Sequence, residues 1–168
     1  MPSGQKPALF NHLRRGLLWL WGSVPFPEFI RELFLWVIVD KFLVGVGAII
    51  FNERGEVLLC YHTYRSQCPW GLPAGWLEHG EDPSRAAERE LSEETGLVIN
   101  VRQLFEVQRK AGYNHIQIYF LADLTGGEFR PSDEVSHVRY FPIDELPPLL
   151  PGTEELIRRA WEHENPVR

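Results

Sequence analysis

Residues Gly75 to Leu97 read GWLEHGEDPSRAAERELSEETGL, and the stretch crowds Glu88, Glu90, Glu93 and Glu94 into a short run of chain. Like charges three or four residues apart on a helix repel by a few tenths of a kcal/mol per pair. Such crowding therefore marks either a solvated face or a place for a cation. Asp82-Pro83 is a strong helix start, an acidic N-cap followed by a proline at the first helical position. Gly96 is a strong stop, because glycine takes the left-handed conformation just past a helix end. The spacing predicts a helix over Pro83–Thr95. Ala86, Glu90 and the Glu93/Glu94 pair fall along one side, with Ala87 and Leu91 on the neighbouring, core-facing side. Packed against a sheet, such a helix leaves its carboxylates at a rim or in a cleft.

Converging carboxylates suit a hard, oxygen-seeking ion, Mg²⁺ first and Mn²⁺ as the alternative, which keeps waters and bridges to phosphates. Zinc fits less well, since no His or Cys joins the cluster. Arg89 can pair with Glu93 one turn later and orient it.

The pattern as a whole resembles the Nudix box: Gly75, Glu81, Arg89, Glu90, Leu91, Glu93, Glu94, Gly96 and Leu97 match every fixed position. By composition alone such a match arises in about one chain in ten million. The resemblance implies an α/β/α sandwich with a mixed β-sheet, here preceded by an N-terminal helical extension. It also implies hydrolysis of a diphosphate linkage in a nucleoside diphosphate derivative. Carried over, Glu90 and Glu94 are the principal metal ligands, and Glu93 is a further ligand or orients the attacking water. The backbone carbonyl of Ala74 adds an oxygen. Gly75, Glu81, Gly96 and Arg89 mainly hold the box in shape. The general base comes from the box or from a later loop, where Glu134 in RPSDEVSH occupies the suitable position and Asp133 is the weaker candidate.

Around the box, FLVGVGAIIF and EVLLCYHTY read as strands joined at NERG, with Gly55 supplying the turn. RSQCPWG reads as a loop and LPAGWL as a short strand. NVRQLFEVQRK and HIQIYFLADL form a hairpin around AGYN, and VRYFPI is another strand. A last helix starts with Thr153 as N-cap and buries Leu156, Ile157, Ala160 and Trp161. Residues 1–40 read as the extension, with helices over 8–21 and from Glu28 onward, and 41–168 as the Nudix domain.

Substrate choice lies outside the box, and its hints conflict. The segment PAG at Pro73–Gly75 resembles ADP-ribose pyrophosphatases, whereas Tyr113, near the position where those carry proline, resembles dinucleoside polyphosphate hydrolases. Trp70, Tyr113, Tyr119 and Phe120 can stack on a base, although aromatics in strands are more often core. Arg65 and Lys110 can meet phosphates. His62 and His115 read as ordinary strand residues, and neither Cys60 nor Cys68 reproduces the motif of the isomerase branch.

A net charge of -6 argues against general nucleic-acid binding, yet not against an anionic substrate that arrives with a divalent ion. The two cysteines lack disulfide-framework or metal spacing, which favours a reduced, cytoplasmic setting. Arg14-Arg15 before GLLWLW superficially resembles a twin-arginine signal, but Gly22-Ser23 and Pro25 break the apolar run. Asp40-Lys41 interrupts the apolar segment 33–51, where a central charge costs about 2.5–3.5 kcal/mol in a membrane. A transmembrane span is therefore not expected. The aromatic extension suits packing or a homodimer interface better than shallow membrane contact. The expected function is a metal-dependent pyrophosphohydrolase acting on ADP-ribose or a nucleotide sugar, a dinucleoside polyphosphate or a nucleoside triphosphate. A nucleotide sensor without turnover is the first alternative, and RNA decapping the second.

Overall fold

The computed structural model describes residues 27–110 and 114–166. The helix expected over 8–21 and the proposed contact Tyr113 lie outside the described residues. The chain divides into two units at Lys41/Phe42. The first contains helix α1 (Glu28–Ile38), which starts behind Pro27, whose carbonyl accepts a hydrogen bond from the Ile30 amide. The helix matches the expectation from EFIRELFLWVIV.

The second unit has strands β1 (Leu43–Ile50), β2 (Val57–His62), β3 (Trp70–Gly71) and β4 (Ala74–Trp76), then helix α2 (Pro83–Thr95). Strands β5 (Leu97–Lys110), β6 (His115–Gly127) and β7 (Val135–Phe141) follow, then a 3₁₀ turn and helix α3 (Thr153–Glu164). One sheet has the order β4-β1-β6-β5 and is mixed: β1 runs parallel to β6, while the β4 and β5 pairings are antiparallel. A second, antiparallel sheet has the order β3-β2-β7.

Strand periodicity distributes the core. Ala48, Ile50, Leu58 and Cys60 face one way and pack with Leu91 of α2; Ile49, Val57 and Leu59 face the other way and pack with Leu156, Ile157 and Ala160 of α3. The two helices thus cover opposite faces of the β layer, as the expected α/β/α arrangement requires. Burial of such aliphatic side chains contributes about 1.5–3 kcal/mol each.

Three local expectations need correction. Part of the supposed loop RSQCPWG forms β3, since Trp70 and Gly71 pair with Tyr61 and Cys60. The β5–β6 hairpin is longer than expected, and β7 already begins at Val135. Thr153 is the first helical residue rather than the N-cap; Gly152 holds that position with φ 82°, a left-handed conformation a threonine would resist.

Candidate active site

Helix α2 is held at both ends by the residues its sequence suggested. The Asp82 side chain accepts hydrogen bonds from the Ser84 amide (2.9 Å) and hydroxyl (2.5 Å). Gly96 takes φ 72° and donates its N–H to the Ser92 carbonyl. Ala86, Ala87 and Leu91 are buried, so the helix seats tightly on the sheet and its register fixes the carboxylates.

The four glutamates then part company. Glu88 is structural: it accepts from the Val101 amide (3.0 Å) and pairs with Arg85 (2.8 Å), tying α2 to β5. Glu93 turns outward and meets Arg89 at 2.9 Å, the pairing its spacing predicts. Arg89 also grips Glu81 with two hydrogen bonds of 2.9 Å and donates to the Trp76 carbonyl at 3.1 Å. This fork joins helix, preceding loop and β4. Its hydrogen bonds hold the Glu81 carboxyl below its ordinary range.

Glu90 lies between the two sides. It accepts from the Trp76 amide (3.0 Å) and approaches Arg89 at 3.2 Å. A Cβ at position 75 would fall 2.1 Å from the Glu90 carboxyl carbon, so only glycine leaves room for that carboxylate. Ala74, beside it in β4, is half-buried.

Glu94 is different again. It is 9% exposed and its Oε2 is buried with no hydrogen-bond partner. Burial raises its carboxyl to about 7, helped by the negative charges of Glu134, Glu90 and Glu93 and opposed by Arg65. Glu134 thus reaches the site from the far end of the chain. The Thr63 amide donates to its carbonyl (2.9 Å), and the Thr63 hydroxyl donates to the Asp133 carbonyl (2.6 Å), pinning this loop to the end of β2.

Arg65 brings positive charge near Glu94. Its guanidinium lies where a side chain at Gly71 would be, and among the described residues it makes no ion pair. Its field also reaches His62, which burial and Arg65 together lower to about 4, and so keep neutral. Burial beside Glu94 raises the Cys60 thiol, which unsuits it as a nucleophile.

Among the described residues, no three His, Cys, Asp or Glu side chains converge closely enough to form a ready-made metal cage. The three carboxylates of the sequence reading differ in setting: Arg89 draws Glu93 outward, while Glu94 stays buried.

A family model for the NUDIX domain matches residues 41–160. The chain belongs to the Nudix family. An ADP-ribose pyrophosphatase of Methanocaldococcus jannaschii is 34% identical over 126 residues, covering 73% of this chain and 75% of that protein. An NAD-capped RNA hydrolase of Vibrio cholerae is 32% identical over 61% of this chain, but only 39% of that longer protein is matched. Among solved structures, a Nudix hydrolase from Nitrosomonas europaea superposes with a TM-score of 0.68 at 28% identity, covering 76% of this chain and 74% of the other. The chain is accordingly a Nudix hydrolase by family. Among the described residues no helix is long and apolar enough to cross a membrane.

Of the proposed substrate contacts, Arg65 and Trp70 line a cavity next to Ala74 and Gly75. Trp70 is also engaged edge-on with Tyr61 (5.3 Å) and Phe141 (4.9 Å), so much of its surface serves packing. Tyr119 is buried and lines the same cavity, whereas Phe120 faces the other way among Ala86 and Ala87. Trp76, His115 and Gln117 also line it, and sequence reasoning missed their connection. The available signal was GVG at Gly45–Gly47, whose small residues lie opposite Gln117 and Tyr119 across the β1–β6 pairing.

Proposed function

We propose that this Nudix protein is a divalent-metal-dependent pyrophosphohydrolase that cleaves the diphosphate linkage of a small nucleoside diphosphate derivative. The observation that carries this reading is the unpartnered, buried Glu94 oxygen, facing the charges of Glu90 and Glu134. A carboxylate buried without hydrogen bonds among like charges is costly unless a cation joins it. Mg²⁺ suits the arrangement because it needs only one or two carboxylates, completing its shell with water and substrate phosphate. That requirement is compatible with the lack of a three-residue cage among the described residues. Glu94 and Glu90 would hold the ion, with the Ala74 carbonyl as a further oxygen and Mn²⁺ as a substitute.

When bound, the ion supplies charge that neutralises the diphosphate oxygens and acidifies the attacking water. The chain's own groups do the rest. Arg65 binds the diphosphate from the wall of the cavity. Glu134, carried on its pinned loop, takes the proton from the attacking water. Glu93 is held by Arg89 and acts on the orientation of the box. ADP-ribose is the first substrate to try, because the Methanocaldococcus jannaschii relative that matches most of this chain is named for that activity. Residues 1–40 form an extension outside the catalytic domain in this reading.

The test is product release from ADP-ribose, nucleotide sugars, dinucleoside polyphosphates and nucleoside triphosphates, with Mg²⁺ or with chelator. The expected result is turnover of one class that needs Mg²⁺ and falls by about a thousandfold in Glu94→Gln. Turnover of equal rate in chelator, or undiminished in Glu94→Gln, would contradict the reading.

A further inference from the structure

The alternating glycines of β1 create an opening that β6 fills with polar groups. Gly45 pairs with Gln117, and Gly47 with Tyr119. A Cβ at Gly45 would lie 2.2 Å from Gln117 Oε1 and 3.0 Å from His115 Nε2, so both side chains reach over the same bare stretch of backbone. Gln117 is 5% exposed, and its Nε2 is buried without a partner; His115 Nε2 is likewise buried and unpartnered. Two neighbouring unmet hydrogen-bonding groups in one place are rare in folded proteins, and each costs about 1–3 kcal/mol while unmet.

Both groups line a cavity of about 160 Å³. Its other walls include Trp76, whose ring lies 5.0 Å from that of His115 at 38°, and Tyr119. Ala74 and Gly75 border it as well, and the Glu90 carboxylate packs against Gly75. The cavity therefore opens beside the Glu90 carboxylate, with Arg65 on its wall. Sites for whole drug-sized ligands measure about 300–1,000 Å³, so this one holds one end of a substrate.

We infer that the cavity lined by Trp76, His115 and Gln117 receives the nucleobase of the substrate, with Gln117 and His115 reading its edge and Trp76 stacking on its face. The inference rests on the hydrolase reading only for the phosphate end. The Gln117 amide carries both a donor and an acceptor, and the imidazole nitrogen takes either role according to its tautomer. Together they match a flat ring with adjacent polar atoms on one edge. A sugar ring fits the same space less well: it carries hydroxyls all round, and aromatic walls would leave several of them unpaired.

Calorimetric titration of the full chain, in chelator, with AMP, GMP, CMP, UMP and ribose 5-phosphate tests the assignment without requiring turnover. At least one nucleotide is expected to bind about tenfold more tightly than ribose 5-phosphate. Gln117→Leu, with folding checked by thermal melting, is expected to erase that preference, and Trp76→Ala to weaken it by a similar factor. Trp76 is half exposed, so its variant keeps the test available if Gln117→Leu does not fold. Equal binding of ribose 5-phosphate and every nucleotide, or a preference that survives in folded variants, would overturn the assignment. A base preference without hydrolysis of any diphosphate would uphold this pocket and sink the hydrolase reading; hydrolysis without a base preference would do the reverse.

Discussion

On the outward side of α2, Glu81 and Glu93 share the Arg89 guanidinium at distances of 2.9 Å. One residue beyond Glu93, on the inward side, Glu94 keeps a buried oxygen without a partner and faces further negative charge. The chain supplied a hydrogen-bonded cation in one place and only the unbonded charge of Arg65 in the other. The satisfied half is scaffolding, since its bonds join α2 to the loop and to β4 and leave little for a ligand to gain. The unsatisfied half is poised for a ligand, since a bound cation there relieves a strain already present in the fold. Glu90 links them, touching Arg89 and Trp76 while its carboxylate rests on Gly75.

Substitutions can sharpen or break this contrast. Glu134→Gln removes a charge from the unsatisfied side without touching the scaffold, and kcat should fall by about a hundredfold with Tm little changed, by assay and melting curve. An unchanged kcat would return Glu134 to the status of a loop acid. Gly75→Ala forces Glu90 aside, and should weaken Mg²⁺ binding in calorimetry by about ten- to a hundredfold. Arg89→Lys keeps the charge but loses the fork that grips Glu81 and Glu93 together. Mg²⁺ affinity should fall by about tenfold, the mild end of what a supporting residue costs, and Tm should drop. If Arg89→Lys proved worse than Glu134→Gln in kcat, the division into scaffold and poised halves would be wrong.

The sequence made the scaffold legible because its signals are local. Asp82-Pro83 and Gly96 mark the ends of α2 by capping chemistry, and the four-residue spacing of Arg89 and Glu93 foretells their pairing. The poised half was legible in composition and less so in geometry. Glu90, Glu93 and Glu94 look alike in the chain, and only burial on the sheet separates the buried Glu94 from the outward Glu93. Glu134 could be singled out, but its approach to Glu94 depends on Thr63 holding a loop some seventy residues away. The cavity escaped notice for a similar reason: Gly45 and Gln117 meet only through the parallel pairing of β1 with β6, a long-range register that no short window reveals. His115 accordingly passed for an ordinary strand residue. At α3, Thr153 looked like a cap because its residue type suits one, while the left-handed turn at Gly152 took the position.

Thermal melting at pH 8, with and without Mg²⁺, on wild type and Glu94→Gln bears most directly on the central claim. Glu94 titrates near 7 in the folded chain against an ordinary 4.5. The folded state therefore binds that proton more tightly, and the associated stability is full below about 4.5 and lost as pH rises through about 7. At pH 8 without metal the ionised carboxylate is a burden, and Glu94→Gln should melt no lower than wild type. Mg²⁺ should raise the wild-type Tm, more at pH 8 than at pH 6, where the proton competes for the same oxygen. It should leave the Tm of Glu94→Gln nearly unmoved. A Glu94→Gln protein that melts well below wild type without metal, yet responds to Mg²⁺ as wild type does, would show that Glu94 is ordinary scaffold and contradict the account.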